Sequence, residues 1–368
     1  MYKNIFLICL SFIFSLIFIE ILLKNLGRYN ELTKNNLNPS LAIYERAHSS
    51  KQRHKHPDLD YIIENNFDSS GVKNFDTVDT SNKRNIIAFF GDSFVENIAV
   101  EKEFEFSYLL DQHIKSYNIV NYGVGGYSAD QVFIRYLKYQ NHDMKHVFFL
   151  LMPGDQGFST MSEFNEDGTY LIDNPKFNIF YNFLGKLNIT YFFIDIYYFV
   201  KNKIYINFTD VSIENYNSVL ANKIYKKFYH PDLKKCNDYF KSKNDFLNDK
   251  CAKDLINLLS IFRDKVNNNG AKFYILLYPN LKHIDYFNRI ISDKKNDFKF
   301  YILNENLQTG SYFNNTKTNF KNDAHWNEYG NLIFANDLNK ILNEIGIVEN
   351  QLPFNNIFYN INKFYELN

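Results

Sequence analysis

Five short apolar runs, most of them separated by helical patterns, constrain this chain more than any other feature. They are residues 85–91 (NIIAFFG), 118–121 (NIVN), 146–152 (HVFFLLM, ahead of Pro153-Gly154), 273–278 (FYILLY, ahead of Pro279) and 298–303 (FKFYIL). Runs this short and this continuously apolar, bounded by turn residues, read as strands buried on both faces. The intervening residues 104–114, 129–140 and 250–267 are helical in pattern. In the last of these Leu255, Leu258, Phe262 and Val266 share one face, and Gly270 ends it. A final helix is expected at about 328–345, with Phe334, Leu338, Ile341 and Ile345 on one face and Gly346 as its cap. Buried strands alternating with helices predict an α/β domain whose five-stranded parallel sheet carries helices on both faces. In such sheets the working residues lie beyond the carboxyl ends of the strands.

The rest of the chain is organised around that rhythm. Ile5–Leu23 holds nineteen residues with one charge, Glu20, a length of roughly 28 Å as a helix, about that of a membrane's hydrocarbon core. It is followed by bulky residues rather than an A-x-A-like cleavage pattern, so the expectation is an uncleaved transmembrane anchor over 1–26. Lys3 precedes the run and Lys24 and Arg28 follow it, so the positive-inside rule does not decide its orientation. Residues 27–80 are polar and weakly periodic, a linker becoming an N-terminal extension packed on the domain. The domain itself is expected over 81–350, with an insertion at about 158–248, where the alternation stops and Asp167-Gly168 suggests a hairpin turn. Residues 351–368 read as a C-terminal tail.

Charge and cysteines narrow the partners. Forty-one basic residues balance 41 acidic ones, and no basic stripe is visible, which argues against a nucleic-acid partner. Cys236 and Cys251 could close a short loop, a disulfide suited to an oxidising compartment, or be two unrelated thiols. The 37 Phe and 28 Tyr follow an AT-rich codon bias and carry no functional signal, whereas the 14 Gly and single Trp are scarce enough to be informative.

Three segments hold candidate chemistry. Gly91-Asp92-Ser93-Phe94 follows the first strand, where a Ser beside a tight turn is exposed as a nucleophile; a Ser capping the next helix is the plainer alternative. Asn121-Tyr122-Gly123-Val124-Gly125-Gly126 follows the second strand. It lacks both the G-x-G-x-x-G spacing and a P-loop Lys, so a backbone N–H donor at Gly126 for an oxyanion is the better reading. Asp323-Ala324-His325-Trp326-Asn327 precedes the last helix. There Asp323 can accept a hydrogen bond from the His325 ring and leave the other ring nitrogen as a base; an N-cap Asp beside a structural His is the competing reading. The α/β-hydrolase elbow G-x-S-x-G is absent, since Val95 stands at the position of its second glycine.

Taken together, G-D-S-F, N-x-G-x-x-G and D-x-H-W-N at these places resemble the SGNH (GDSL-type) hydrolase superfamily, over roughly 84–158 and 250–346. The D-x-H-W signature is similar to that of alginate-acetylation proteins. The resemblance implies a flavodoxin-like three-layer α/β/α domain, Ser93 as nucleophile, His325 as base and Asp323 as its orienting partner. It also implies an oxyanion hole formed mostly by the backbone N–H groups of Ser93 and Gly126, and no metal or cofactor. One departure stands out. The family's Asn after the third strand is replaced by Asp155, and an ionised carboxylate accepts hydrogen bonds rather than donating them. The leading expectation is a membrane-anchored serine esterase, its catalytic domain on the periplasmic or outer side, acting on an ester-bearing small molecule, lipid or glycan. The alternatives are an O-acetyltransferase for an envelope polysaccharide and a binding domain with weakened or no catalysis.

Overall fold

A computed structural model describes residues 2–25, 35–38, 43–46, 48–54, 56, 58–59, 61–73, 85–152, 249–280, 298–350 and 352–367. In chain order the elements are helix α1 (Tyr2–Asn25) and strands β1 (Asn35–Asn38), β2 (Ile43–Arg46), β3 (Ser50–His54) and β4 (Ile63–Phe67). Then come β5 (Ile86–Phe90), α2 (Ser93–Glu96), α3 (Phe106–His113), β6 (Asn118–Asn121), α4 (Ala129–Tyr139) and β7 (Met144–Leu151). The chain continues through α5 (Asp249–Asn268), β8 (Lys272–Leu277), β9 (Phe300–Ile302), the short strands β10 (Tyr312–Phe313) and β11 (Thr316–Lys317), α6 (Glu328–Glu344) and α7 (Phe354–Leu367).

The five expected strands form one sheet, ordered β6-β5-β7-β8-β9 with every neighbouring pair parallel. Strand alternation sends side chains to two cores. Ile86, Ala88 and Phe90 of β5 and Val147, Phe149 and Leu151 of β7 pack with Val132, Phe133, Leu258 and Phe262 of α4 and α5. Ile87, Phe89, Phe148 and Leu150 face the other way, onto Phe106 and Leu110 of α3 and Leu332, Phe334 and Leu338 of α6. This is the three-layer arrangement expected from the sequence. The strand order reverses between β6 and β7, on either side of β5, and a crevice at such a reversal is where doubly wound folds bind ligands. Ser93 follows β5 directly.

The segments outside the sheet differ more from expectation. Strands of the N-terminal extension form antiparallel pairs, β1 with β2 and β3 with β4, and the extension buries Ile43, Ile63 and Val72. The residues read only as a tail contain α7, whose Ile361 is fully buried and whose Phe354, Ile357 and Phe358 pack into the α3–α6 core. The Tyr329 hydroxyl of α6 also donates to Asn362 Oδ1 of α7 at 2.5 Å. The insertion at 158–248 with its hairpin turn at Asp167-Gly168, Asp155, and Cys236 lie outside the described residues, as does the side chain of Cys251.

Helix α1 covers the apolar run, 24 residues long. Among the described residues no helix is long and apolar enough to cross a membrane. The described side chains of α1 run unbroken only over 10–23, short of the about 20 residues that a span needs. The transmembrane helix expected from the sequence is therefore not shown. Most of its described apolar side chains, among them Phe12, Phe14, Ile17 and Phe18, are exposed, whereas Leu23 is buried.

Candidate active site

Ser93 opens α2, a single turn capped by Asp92, whose Oδ1 accepts the Phe94 N–H at 3.0 Å. From the far end of the chain, His325 reaches the same point. Its Nε2 lies 2.6 Å from Ser93 Oγ, and its Nδ1 lies 2.6 Å from Asp323 Oδ1. Asp323 Oδ1 also accepts the His325 backbone N–H at 3.2 Å, so one carboxylate oxygen fixes both ring and backbone. An ionised carboxylate only accepts, which puts the ring proton on Nδ1 and leaves Nε2 to accept from the Ser93 hydroxyl. The three residues picked from the sequence thus form one hydrogen-bonded chain.

The electrostatics follow from that chain. Burial works to raise the Asp323 carboxyl, but hydrogen bonds from His325 and His56, with the nearby imidazole charge, outweigh it and hold the group well below its ordinary range. Burial works to lower His325, but the hydrogen bond and charge of Asp323, helped by Asp92 and Glu96, raise it. The His325 side chain keeps 34% of its surface exposed, so solvent reaches the ring.

The segment bearing His325 is held by side-chain and backbone hydrogen bonds. Asn319 Nδ2 donates to the Ala324 carbonyl at 2.7 Å, and the His325 carbonyl accepts from Phe320 N–H at 3.1 Å. Trp326 is buried, its Nε1–H donating to the Leu307 carbonyl at 2.9 Å. Phe94 lies between Trp326, at 5.0 Å, and the His325 ring, at 4.8 Å. The N-cap of α6 is Asn327, which accepts from Tyr329 and Gly330 N–H, both at 3.1 Å. Asp323 is therefore not the cap that the competing reading made it.

The glycine segment lies against α2. A Cβ on Gly123 would sit 2.5 Å from the Glu96 backbone nitrogen and 2.8 Å from the Val95 carbonyl carbon, so only glycine allows the two backbones this approach. Asn121 ties them further: Oδ1 accepts the Gly123 N–H at 2.9 Å and Nδ2 donates to the Val95 carbonyl at 2.6 Å. A Cβ at Gly125 would lie 3.5 Å from the Ser93 Cβ, so the segment passes beside the serine. Gly126 follows at φ +79°, exposed. Among the described residues neither the Ser93 nor the Gly126 N–H has an acceptor.

Two contributors leave almost no signal in the sequence. Glu96 is buried and accepts the Gly125 N–H at 2.8 Å. Arg46 of β2 grips both its oxygens, Nη2 to Oε2 at 2.5 Å and Nε to Oε1. Burial opposes the Glu96 charge, but the guanidinium, with the Gly125 N–H and Lys73, keeps the carboxyl below its ordinary value. The second is His56, whose Nε2 lies 3.1 Å from Asp323 Oδ2. Pairings of residues 50 and 267 positions apart leave no local pattern; the only hint was three His within 48–56. Among the described residues no cluster of three or more His, Cys, Asp or Glu is arranged to hold a metal ion.

The chain matches no protein-family model and no curated protein. Solved structures similar to it at a low level include two esterases. One is a carbohydrate esterase whose active site is described as having divergent catalytic and non-catalytic binding functions, with 11% identity, TM-score 0.34, and coverage of 72% of this chain and 66% of that one. The other is an acetyl xylan esterase from the rumen bacterium Butyrivibrio proteoclasticus, with 11% identity, TM-score 0.34, and coverage of 75% and 68%. Likeness at this level carries no argument about activity, which rests on the geometry of the site.

Proposed function

We propose that this chain is a serine esterase of SGNH type that hydrolyses carboxylic esters through an acyl-enzyme. The observation that carries the reading is the unbroken relay from Ser93 Oγ to His325 to Asp323, both links 2.6 Å long. Ser93 attacks the ester carbonyl while His325 Nε2 takes its proton, and Asp323 stabilises the imidazolium that forms. The Ser93 and Gly126 N–H groups serve the developing oxyanion. His325 then returns its proton to the departing alkoxide, accepts one from water, and releases the acid. A third oxyanion donor, if the reaction uses one, has to come from a residue other than an ionised Asp155.

The proposal includes an anchor. The apolar run of α1, with Phe12, Phe14, Ile17 and Phe18 exposed, fits insertion in a bilayer, with the catalytic domain on the outer, periplasmic side. A Cys236–Cys251 disulfide would suit that side. Ester-bearing small molecules, lipids or glycans are the substrate classes in view.

The test is turnover of short and long nitrophenyl esters by the full chain in detergent, with Ser93→Ala as control. Ser93-dependent hydrolysis is expected, and its absence sinks the esterase reading. Acetyl transfer to an oligosaccharide outrunning hydrolysis would reassign the same relay to an O-acetyltransferase. Protonated His325 cannot act as the base, and its pKa lies above the ordinary 6.5. Activity should therefore fall as pH drops, with a midpoint above 6.5 in kcat/KM.

A further inference from the structure

We propose that His56, from the N-terminal extension, is a positioning residue that holds Asp323 in the orientation His325 needs; this rests on the esterase reading only for its kinetic consequence. The residue lies in the polar stretch before the sheet, 267 positions from its partner, and its side chain is only 2% exposed. Its ring packs on Phe320 with centroids 4.0 Å apart.

Its tautomer follows from the geometry. His56 Nδ1 accepts the Asp58 backbone N–H at 3.2 Å, so that nitrogen carries no proton and Nε2 carries one. Nε2–H then donates to Asp323 Oδ2 at 3.1 Å. The two carboxylate oxygens are thereby divided: Oδ1 serves the backbone and ring of His325, and Oδ2 is held by His56. Rotation about χ2 moves both carboxylate oxygens, so the hydrogen bond on Oδ2 adds to the two on Oδ1 in holding the group's orientation. The extension adds a second clamp beside the first, because Asp58 Oδ2 accepts the Asn322 N–H at 2.8 Å and Asp58 Oδ1 accepts from the Asn322 side-chain amide.

Among the described residues the charged and titratable groups around this contact are few. His325 and Asp323 belong to the relay, with Asp92 and Glu96 beyond His325. Asp58 faces Asn322, and Arg46 and Lys73 lie toward His54, whose ring is 6.3 Å from that of His56. Burial, with the nearby cations Arg46 and Lys73, holds His54 at about 4, hence neutral at pH 7. A neutral donor on Oδ2 draws charge away from the oxygen facing His325. Its removal from a dry pocket strengthens the pull of Asp323 on the imidazolium, so His325 becomes more basic.

The experiment is a titration of the His325 ring by NMR in the full chain in detergent, its resonances assigned by loss in His325→Ala. His56→Phe keeps the ring volume and removes the donor, and His56→Gln keeps a donor of similar reach. His56→Phe should move the His325 midpoint upward by about half a pH unit or more, and His56→Gln should leave it near wild type. In ester turnover His56→Phe should lower kcat roughly ten- to a hundredfold, the scale of one hydrogen bond to a charged group, with KM little changed and His56→Gln restoring most of the loss. An unshifted His325 midpoint in His56→Phe, or a His56→Gln variant as impaired as His56→Phe, overturns the proposal. The titration needs no turnover, so an inactive wild type would refute the esterase reading and still leave the role of His56 decided.

Discussion

The parallel sheet and the N-terminal extension hold the same site by different physics. Behind Ser93 lies a strand buried at every position, Ile86 to Phe90, packed on both faces by aromatic and aliphatic side chains. The extension reaches the site through charged and polar groups instead: Arg46 on Glu96, and His56 and Asp58 on the segment before His325. Apolar packing is non-directional and tolerates rearrangement, and each fully buried large side chain contributes about 1.5–3 kcal/mol. Paired buried charges add little net stability, but they are directional and costly to break singly. The sheet thus supplies most of the stability, and the extension aims what the sheet carries.

Substitutions can break that division, and the largest effect belongs at the sheet. Ser93→Ala should lower kcat/KM by about 10⁴-fold or more while leaving the melting temperature nearly unchanged. Arg46→Ala leaves Glu96 buried without its cation and should cost about 3–5 kcal/mol in denaturant unfolding. Phe148→Ala, in the sheet core, should cost a similar 3–5 kcal/mol. The two sites then separate on compensation. Arg46→Met combined with Glu96→Leu should recover most of the lost stability, since apolar replacement of a buried pair is often neutral. Activity should not recover, because the Gly125 N–H no longer has its acceptor. Recovery of both would show that the pair only fills space.

Acid offers a gentler probe. The Glu96 carboxyl is held below its ordinary 4.5 in the folded protein. Its contribution is therefore present above 4.5 and lost as pH falls through the lower, folded value. Hydrogen exchange should show the amides of 43–73 opening below about pH 4.5 before those of β5 and β7. Simultaneous opening would mean the extension is no separate layer of support. The smallest effect is local: Asn327→Ala removes the cap of α6 and should cost about 1 kcal/mol.

The same contrast explains what could be read from the residues. Strand-length apolar runs marked the five strands of the parallel sheet and the burial of β5, β7 and β8. They did not mark that the edge strands β6 and β9 are only partly buried, with Ile302 exposed, because an edge strand lacks a neighbour to cover it. Ser93, Asp323 and His325 were legible because each sits in a short local motif at a strand or helix end. Arg46, Glu96 and His56 were not, since a buried polar pairing is invisible until the chain brings its partners together. Helix α7 did have a signal: Phe354, Ile357, Phe358 and Ile361 recur at helical spacing, within a stretch read only as a tail. The strand ends moved by one or two residues, as β7 did in starting at Met144 rather than His146, because ladder bonds reach past the apolar core of a strand.

The central claim is that Ser93 is a nucleophile activated by His325. Incubation of the full chain with a fluorophosphonate probe, followed by intact-mass and peptide mass spectrometry, tests it directly. The account predicts one covalent adduct on Ser93, lost in Ser93→Ala and formed far more slowly in His325→Ala. Absence of an adduct on the wild-type chain, or labelling of Ser93→Ala at the wild-type rate, would contradict it.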